Sequence, residues 1–143
     1  MTIRPLTIDD IEALAKLYFD FWNEASNVEK MKQAFSSLQK NSAYIFLCAI
    51  VDDQLVGSVM GIVCHELYGQ CTPFLVVEDM IVDKKYRKRG IGRALFQTLE
   101  RQAVAQGCTQ VILVTESERT DACGFYESIG FHPSKNKGYK KKL

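Results

Sequence analysis

A chain of 143 residues that is 47% hydrophobic and 24% charged has the composition of one folded domain, not of a disordered or low-complexity segment. A net charge of +1 gives no general attraction for a nucleic-acid backbone, and no apolar run approaches the length of a membrane span. The five cysteines form no CxxC pair and the two histidines lie far apart, so neither a disulfide framework nor a metal site is expected.

Residues 2–6 form an extended start, with Pro5 disfavouring helix before it. Arg4, Asp9, Asp10 and Glu12 interrupt this region, so no secretory leader is expected and a cytoplasmic protein is. Thr7 or Asp9 is placed to cap a first helix. There Ile11, Leu14, Ala15, Tyr18, Phe19 and Trp22 recur at three- and four-residue steps as one apolar stripe. The aromatic group Tyr18, Phe19, Phe21 and Trp22 reads first as core packing, with the lining of a substrate slot as the alternative. Residues 23–27 break the pattern, and residues 28–39 offer Met31, Ala34, Phe35 and Leu38 for a second helix.

Tyr44–Val51 is apolar and β-prone, Asp52-Asp53-Gln54 is a hairpin turn, and residues 55–64 form a second strand. Gly57 and Gly61 within it mark a bulge or a close backbone approach. After a loop over residues 65–73, Phe74–Val82 is a third long strand. A period of two puts Val76, Glu78, Met80 and Val82 on one face and Leu75, Val77, Asp79 and Ile81 on the other. Residues 91–106 form a helix stopped by Gly107. Residues 110–115 are a short apolar strand, expected to be covered on both faces. Residues 119–129 form a last helix, and Phe131 and the tail around Tyr139 read as closing strands. The order β-α-α-β-β-β-α-β-α-β-β implies a mixed α/β (α+β) fold around one central sheet, in a single domain over residues 1–143.

The stretch between the third strand and the helix after it carries most of the chemistry. Lys84, Lys85, Arg87, Lys88, Arg89 and Arg93 crowd around Gly90 and Gly92. A strand that feeds a glycine-bearing turn and then a helix aims several backbone N–H groups at one point, and the helix dipole adds partial positive charge there. The turn is therefore a candidate phosphate cradle. A local basic patch in a nearly neutral chain suits a small anionic ligand. Arg87-x-x-Gly90-x-Gly92 lacks the GxGxxG spacing of a dinucleotide fold and the Gly-Lys-Ser/Thr of a triphosphate loop.

The segment Glu78-Asp79-Met80-Ile81-Val82-Asp83-Lys84-Lys85-Tyr86-Arg87-Lys88-Arg89-Gly90-Ile91-Gly92-Arg93 resembles the acetyl-CoA-binding segment of the GCN5-related N-acetyltransferase (GNAT) superfamily, whose pattern is Arg/Gln-x-x-Gly-x-Gly/Ala after a strand. A second match follows at Ala122-x-x-Phe125-Tyr126-Glu127-Ser128-Ile129-Gly130-Phe131, and Ile3-Arg4-Pro5 and Leu55-Val56-Gly57 also fit. The resemblance implies a mostly antiparallel, splayed sheet of six to seven strands flanked by about four helices, with acetyl-CoA in a V-shaped cleft. It implies that the backbone of Met80, Ile81 and Val82 bonds the pantetheine arm and that the N–H groups of Lys88, Arg89, Gly90, Ile91, Gly92 and Arg93 hold the pyrophosphate behind Arg87. Lys84, Lys85 and Lys88 are candidates to meet the nucleotide's 3′-phosphate.

The reaction it implies is direct acetyl transfer to a primary amine of a small molecule such as a polyamine, aminoglycoside or amino acid. Tyr126 matches the family's general acid for the thiolate. A phenol of ordinary pKa about 10 suits that donation. Glu78 matches a glutamate that polyamine-type members carry in a Glu-Asp-x-x-Val sequence, and is the candidate general base. Glu78 and Asp79 together would attract a cationic amine, although a structural hydrogen bond is the first reading of Asp79. The chain departs from many relatives in having Arg119 where they carry a CoA-assisting asparagine, so the contacts there depend on whether Arg119 meets a phosphate. Acetylation of a protein lysine or N-terminus, and a CoA-binding module without turnover, are the alternatives. Relatives often form homodimers, and the tail from residue 135 to residue 143 is a candidate edge strand for one.

Overall fold

A computed structural model describes residues 1–133 and 136–143. They gather into two compact units, Met1–Ile112 and Leu113–Leu143. The first unit contains β1 (Thr2–Pro5), α1 (Ile11–Trp22), α2 (Val28–Leu38), β2 (Tyr44–Val51), β3 (Gln54–Cys64), β4 (Phe74–Val82), α3 (Ile91–Ala105) and β5 (Val111–Ile112). Its strands form one mixed sheet in the order β1-β2-β3-β4-β5. The first four are antiparallel neighbours and β5 runs parallel to β4. The mixed α/β class expected from the sequence is therefore present.

The entry to α1 is fixed by charge. Arg4 donates two hydrogen bonds to the Asp10 carboxylate, at 2.7 and 2.9 Å. The same carboxylate accepts from the Thr7 N–H and hydroxyl, both at 2.8 Å. Two donors thus hold the carboxyl down to a pKa of about 2, the Arg4 hydrogen bond being the larger cause. The buried face of α1 is Ile11, Leu14, Ala15 and Leu17. Phe19 and Trp22, expected in the apolar stripe, are instead 47% and 46% exposed. Leu17 takes the inward place because it packs with Leu14, Phe35 of α2, Cys48 of β2 and Ile81 of β4.

The other face of the sheet is covered by α3, whose Ile91, Leu95, Phe96, Leu99 and Ala103 are buried. Close approach is the reason for the glycines of β3. A Cβ at Gly61 would stand 2.5 Å from a Leu99 methyl and 3.0 Å from a Leu75 methyl, and one at Gly57 would stand 3.0 Å from the Ile81 carbonyl oxygen. At its far end α3 closes on Gly107 (φ 86°), with the Cys108 N–H bonded to the Ala103 carbonyl at 3.0 Å.

β4 breaks the simple alternation expected of it. Its register passes from Met60↔Glu78 to Ser58↔Ile81, so one residue of β3 faces two of β4. This is a β-bulge at Asp79 and Met80, and Asp79 has the left-handed φ of 50°. The extra residue exchanges faces along the strand. Leu75 lies under α3 beside Leu99, whereas Ile81 belongs to the cluster formed by α1 and α2. Leu75, Val77, Asp79 and Ile81 therefore do not share a face, contrary to the period-two expectation.

The sheet also has fewer strands than expected. Among the described residues there are five, and none lies in 131–133 or 136–143, where closing strands were expected. Position 135, at the start of the lysine-rich tail, lies outside the described residues. β5 pairs only through Val111 and Ile112 and is not covered on both faces: Ile112 is 43% exposed. It stands at the edge of the sheet, where one neighbour gives pairing to one side only.

In the second unit, α4 (Thr120–Ser128) has Arg119 as its N-cap residue and buries no side chain fully. Gly130 (φ 108°) turns the chain so that the Phe131 N–H bonds the Tyr126 carbonyl at 3.1 Å. Among the described residues no helix is long and apolar enough to cross a membrane.

Candidate active site

The end of β4 is tied into a tight, cationic turn. Asp83 accepts a hydrogen bond from the Lys85 N–H through its side chain at 2.8 Å, and from the Tyr86 N–H through its carbonyl at 2.9 Å. Arg87 is extended in backbone (φ −64°, ψ 161°) and its Nε donates to the Val82 carbonyl at 3.1 Å. Its guanidinium also lies 5.4 Å from the centre of the Phe21 ring. The Arg89 guanidinium lies 5.2 Å from the Tyr86 ring. Two of the turn's cations are thus held on aromatic faces.

Lys88 (φ 61°) and Gly90 (φ 80°) are both left-handed. Such alternation makes successive N–H groups converge, which is the geometry of an anion nest. Gly90 is the N-cap of α3 and supplies no side-chain cap; the first helical bond runs from the Ala94 N–H to the Gly90 carbonyl at 3.0 Å. The Ile91 and Gly92 N–H groups therefore precede the helical ladder, with no side-chain cap bond to them among the described residues. A Cβ at Gly90 would meet no atom within 4 Å. An uncapped fifteen-residue helix, a nest and open space in front of Gly90 fit a diphosphate.

Upstream, Met80 and Val82 are half-buried and Ile81 is 2% exposed. Glu78 precedes the bulge and is exposed. Among the described residues neither the Glu78 nor the Asp79 side chain makes a hydrogen bond or ion pair, so the structural hydrogen bond expected for Asp79 is not found. Shielding of the carboxyl pushes Asp79 above the ordinary carboxylate range, although the residue as a whole is exposed. The phenol of Tyr18 is pushed well up, first by its own burial and then by the negative charge of Asp79. The bulge thus sets the carboxylate close to α1. Tyr18 stands edge-on to Trp22 at 5.1 Å, and Phe21 to Trp22 at 4.9 Å. This edge was legible as an aromatic group, but its link to Asp79 and Arg87 was not, because those residues belong to another element far along the chain.

Lys84 and Lys85 are exposed. With Leu17, Asp20, Phe21, Val82 and Asp83 they line a groove of about 290 Å³ between α1 and the end of β4. In the second unit, the Tyr126 ring packs edge-on against Phe125 (5.3 Å) and Phe131 (5.8 Å). Arg119 forms an ion pair of 3.6 Å with Glu116. Among the described residues no three His, Cys, Asp or Glu side chains gather to hold a metal ion.

Known proteins share the fold and the family of this chain. An acetyltransferase of Pectobacterium atrosepticum is 27% identical over 134 residues, covering 92% of this chain and 87% of its own. A Bacillus halodurans protein described as a transcriptional regulator superposes with a TM-score of 0.90 at 26% identity, with 99% of each chain covered. An aminoglycoside 6′-N-acetyltransferase of Acinetobacter haemolyticus superposes with a TM-score of 0.81 at 19% identity, covering 100% of this chain and 99% of its own. The profile of the acetyltransferase (GNAT) family matches residues 11–131, from the start of α1 through Phe131. The chain belongs to that family and is an acyltransferase.

Proposed function

We propose that the protein transfers an acetyl group from acetyl-CoA to a primary amine of a small cationic molecule, acting as a single domain over residues 1–143 in the cytoplasm. The observation that carries the donor is the uncapped start of α3: the nest at Lys88 and Gly90, with open space in front of Gly90, suits the pyrophosphate of CoA. Acetyl-CoA supplies the acetyl group as a thioester. The backbone of Met80, Ile81 and Val82 would hold the pantetheine arm, and the N–H groups from Lys88 to Arg93 the diphosphate. Arg119, already beside Glu116, is the further residue proposed to meet a phosphate.

The observation that favours a cationic acceptor is Asp79. A carboxylate without a side-chain partner among the described residues, close to Tyr18, whose ring meets Trp22, attracts an ammonium group by charge beside aromatic faces. Glu78 takes the proton that the amine must lose before it attacks, directly or through water. Tyr126 gives a proton to the departing thiolate. The acetylation of aminoglycosides by a protein of the same fold supports the small-amine reading.

The deciding experiment measures thiol release from acetyl-CoA against polyamines, aminoglycosides, amino acids and lysine-bearing peptides. Turnover with one of the small cationic amines is expected. Release driven only by peptides would replace that acceptor class with a protein lysine or N-terminus. Binding of acetyl-CoA without release for any amine would make the chain a CoA-binding module.

A further inference from the structure

The arginine of the glycine turn is held from outside the turn. Arg87 is half-buried, its Nε bonded to the Val82 carbonyl at 3.1 Å while its guanidinium carbon lies over the Phe21 ring, 5.4 Å from the ring centre. Phe21 sits on the last turn of α1 and packs against the cluster formed by Leu14, Leu17 and Ile81. One aromatic ring therefore connects the hydrophobic core to the residue that precedes the nest. The residue after Arg87 is Lys88, in a left-handed conformation that costs free energy in a non-glycine residue and persists only where its neighbours enforce it.

We propose that Phe21 is a positioning residue for the diphosphate turn. Its ring fixes the Arg87 guanidinium, Arg87 fixes the end of β4 through Val82, and the strained Lys88 to Gly90 backbone is thereby held with its N–H groups converging. This inference rests on the reading of that turn as the acetyl-CoA cradle. It adds that cofactor affinity depends on a side chain of α1, a helix that contributes nothing to the glycine motif. The contact is between a planar cation and a ring face, so ring character at position 21 matters more than apolar volume.

The test is calorimetric titration of the purified chain with acetyl-CoA. Phe21→Leu keeps an apolar side chain but removes the ring, and is expected to raise the dissociation constant roughly fivefold or more. Phe21→Tyr restores a face and is expected to bind as the native chain does. Arg87→Lys removes the planar partner, and the double variant Phe21→Leu with Arg87→Lys is expected to bind no more weakly than Arg87→Lys alone. In steady-state assays the loss falls on the KM for acetyl-CoA and not on kcat. Thermal unfolding checks that the variants remain folded; Phe21→Met takes the place of Phe21→Leu if that variant does not fold. Native affinity in Phe21→Leu or Phe21→Met overturns the proposal, as do losses that multiply in the double variant. A native chain that itself fails to bind acetyl-CoA overturns the reading of the cradle, which is a different result from native binding left unchanged by the loss of the ring.

Discussion

The β3–α3 seam and the turn from Asp83 to Gly90 both depend on glycine, for opposite reasons. At Gly61 the space is already taken: a Cβ would stand 2.5 Å from Leu99. At Gly90 nothing lies within 4 Å, and glycine is favoured by a φ of 80°. One region spends its small residue on packing a helix close to a sheet. The other spends it on leaving backbone N–H groups uncovered. The same contrast runs along β4, regular and buried at Leu75 and Val77, then bulged and left-handed at Asp79. Asp79 and Lys88 put left-handed backbone where a ligand is proposed to bind, whereas the β3–α3 seam is closely packed.

Substitution of the two glycines separates these roles. Gly90→Val places a branched side chain in the open space before the nest, and acetyl-CoA affinity is expected to fall by about 100-fold or more, consistent with the loss of several charge-assisted hydrogen bonds. The fold should survive with a stability cost of about 1–3 kcal/mol from the left-handed φ. Gly61→Val is the converse. It overpacks against Leu99 and Leu75, so stability should drop by about 1–3 kcal/mol while the affinity of the folded fraction is unchanged. Calorimetry and denaturant unfolding on both variants check the pair. An affinity loss at Gly61 equal to that at Gly90 would erase the distinction between the regions.

Much of this contrast was legible before any coordinates. The long strands, the stop at Gly107 and the glycine turn each have a local physical signature: a β-prone run, a left-handed C-cap, and cations with glycine at a helix start. The bulge does not. Inserting one residue into a strand leaves the run of apolar letters intact, so Ile81 looked like a partner of Leu75 while it lies on the other face. β5 misled in the opposite sense: Val111 to Val114 reads as a strand covered on both faces, but Val114 is 58% exposed. Burial there is decided by which strands pair with it, and pairing is not a local property. Tyr126 is proposed from its place in a motif; the Phe21–Arg87 contact joins residues 66 positions apart and left no pattern.

Removing proton-transfer groups sharpens the proposed division of labour. Tyr126→Phe keeps the ring packing against Phe125 and Phe131 and removes only the hydroxyl, so kcat should fall by about tenfold or more with acetyl-CoA affinity retained. An unaltered kcat would take the acid role from Tyr126. Glu78→Gln should flatten the rise of rate toward alkaline pH; an unchanged profile would mean that the amine loses its proton elsewhere.

The smallest effects contrast two carboxylates. Asp10 is paired with Arg4 and its pKa is lowered to about 2 from 3.8; Asp79 has no partner among the described residues and its pKa is raised by burial. Their contributions to stability therefore have opposite signs. For Asp10 the folded state holds its proton less tightly than the unfolded chain, so its stabilisation is complete above the unfolded value near 3.8 and is lost as pH falls through about 2. Asp10→Asn should cost about 1 kcal/mol at neutral pH, since Arg4 is partly exposed and solvent screens the pair, and its urea-unfolding midpoint should converge with that of the native chain as pH is lowered. For Asp79 the ionised form is the disfavoured one in the folded state. Asp79→Asn should therefore unfold at a slightly higher temperature at neutral pH, the more so because asparagine tolerates the left-handed φ. The same variant should raise the KM for a cationic acceptor by about threefold to tenfold. A lower unfolding temperature would show that the charge of Asp79 stabilises the fold after all, and would leave Asp79 no different in kind from Asp10.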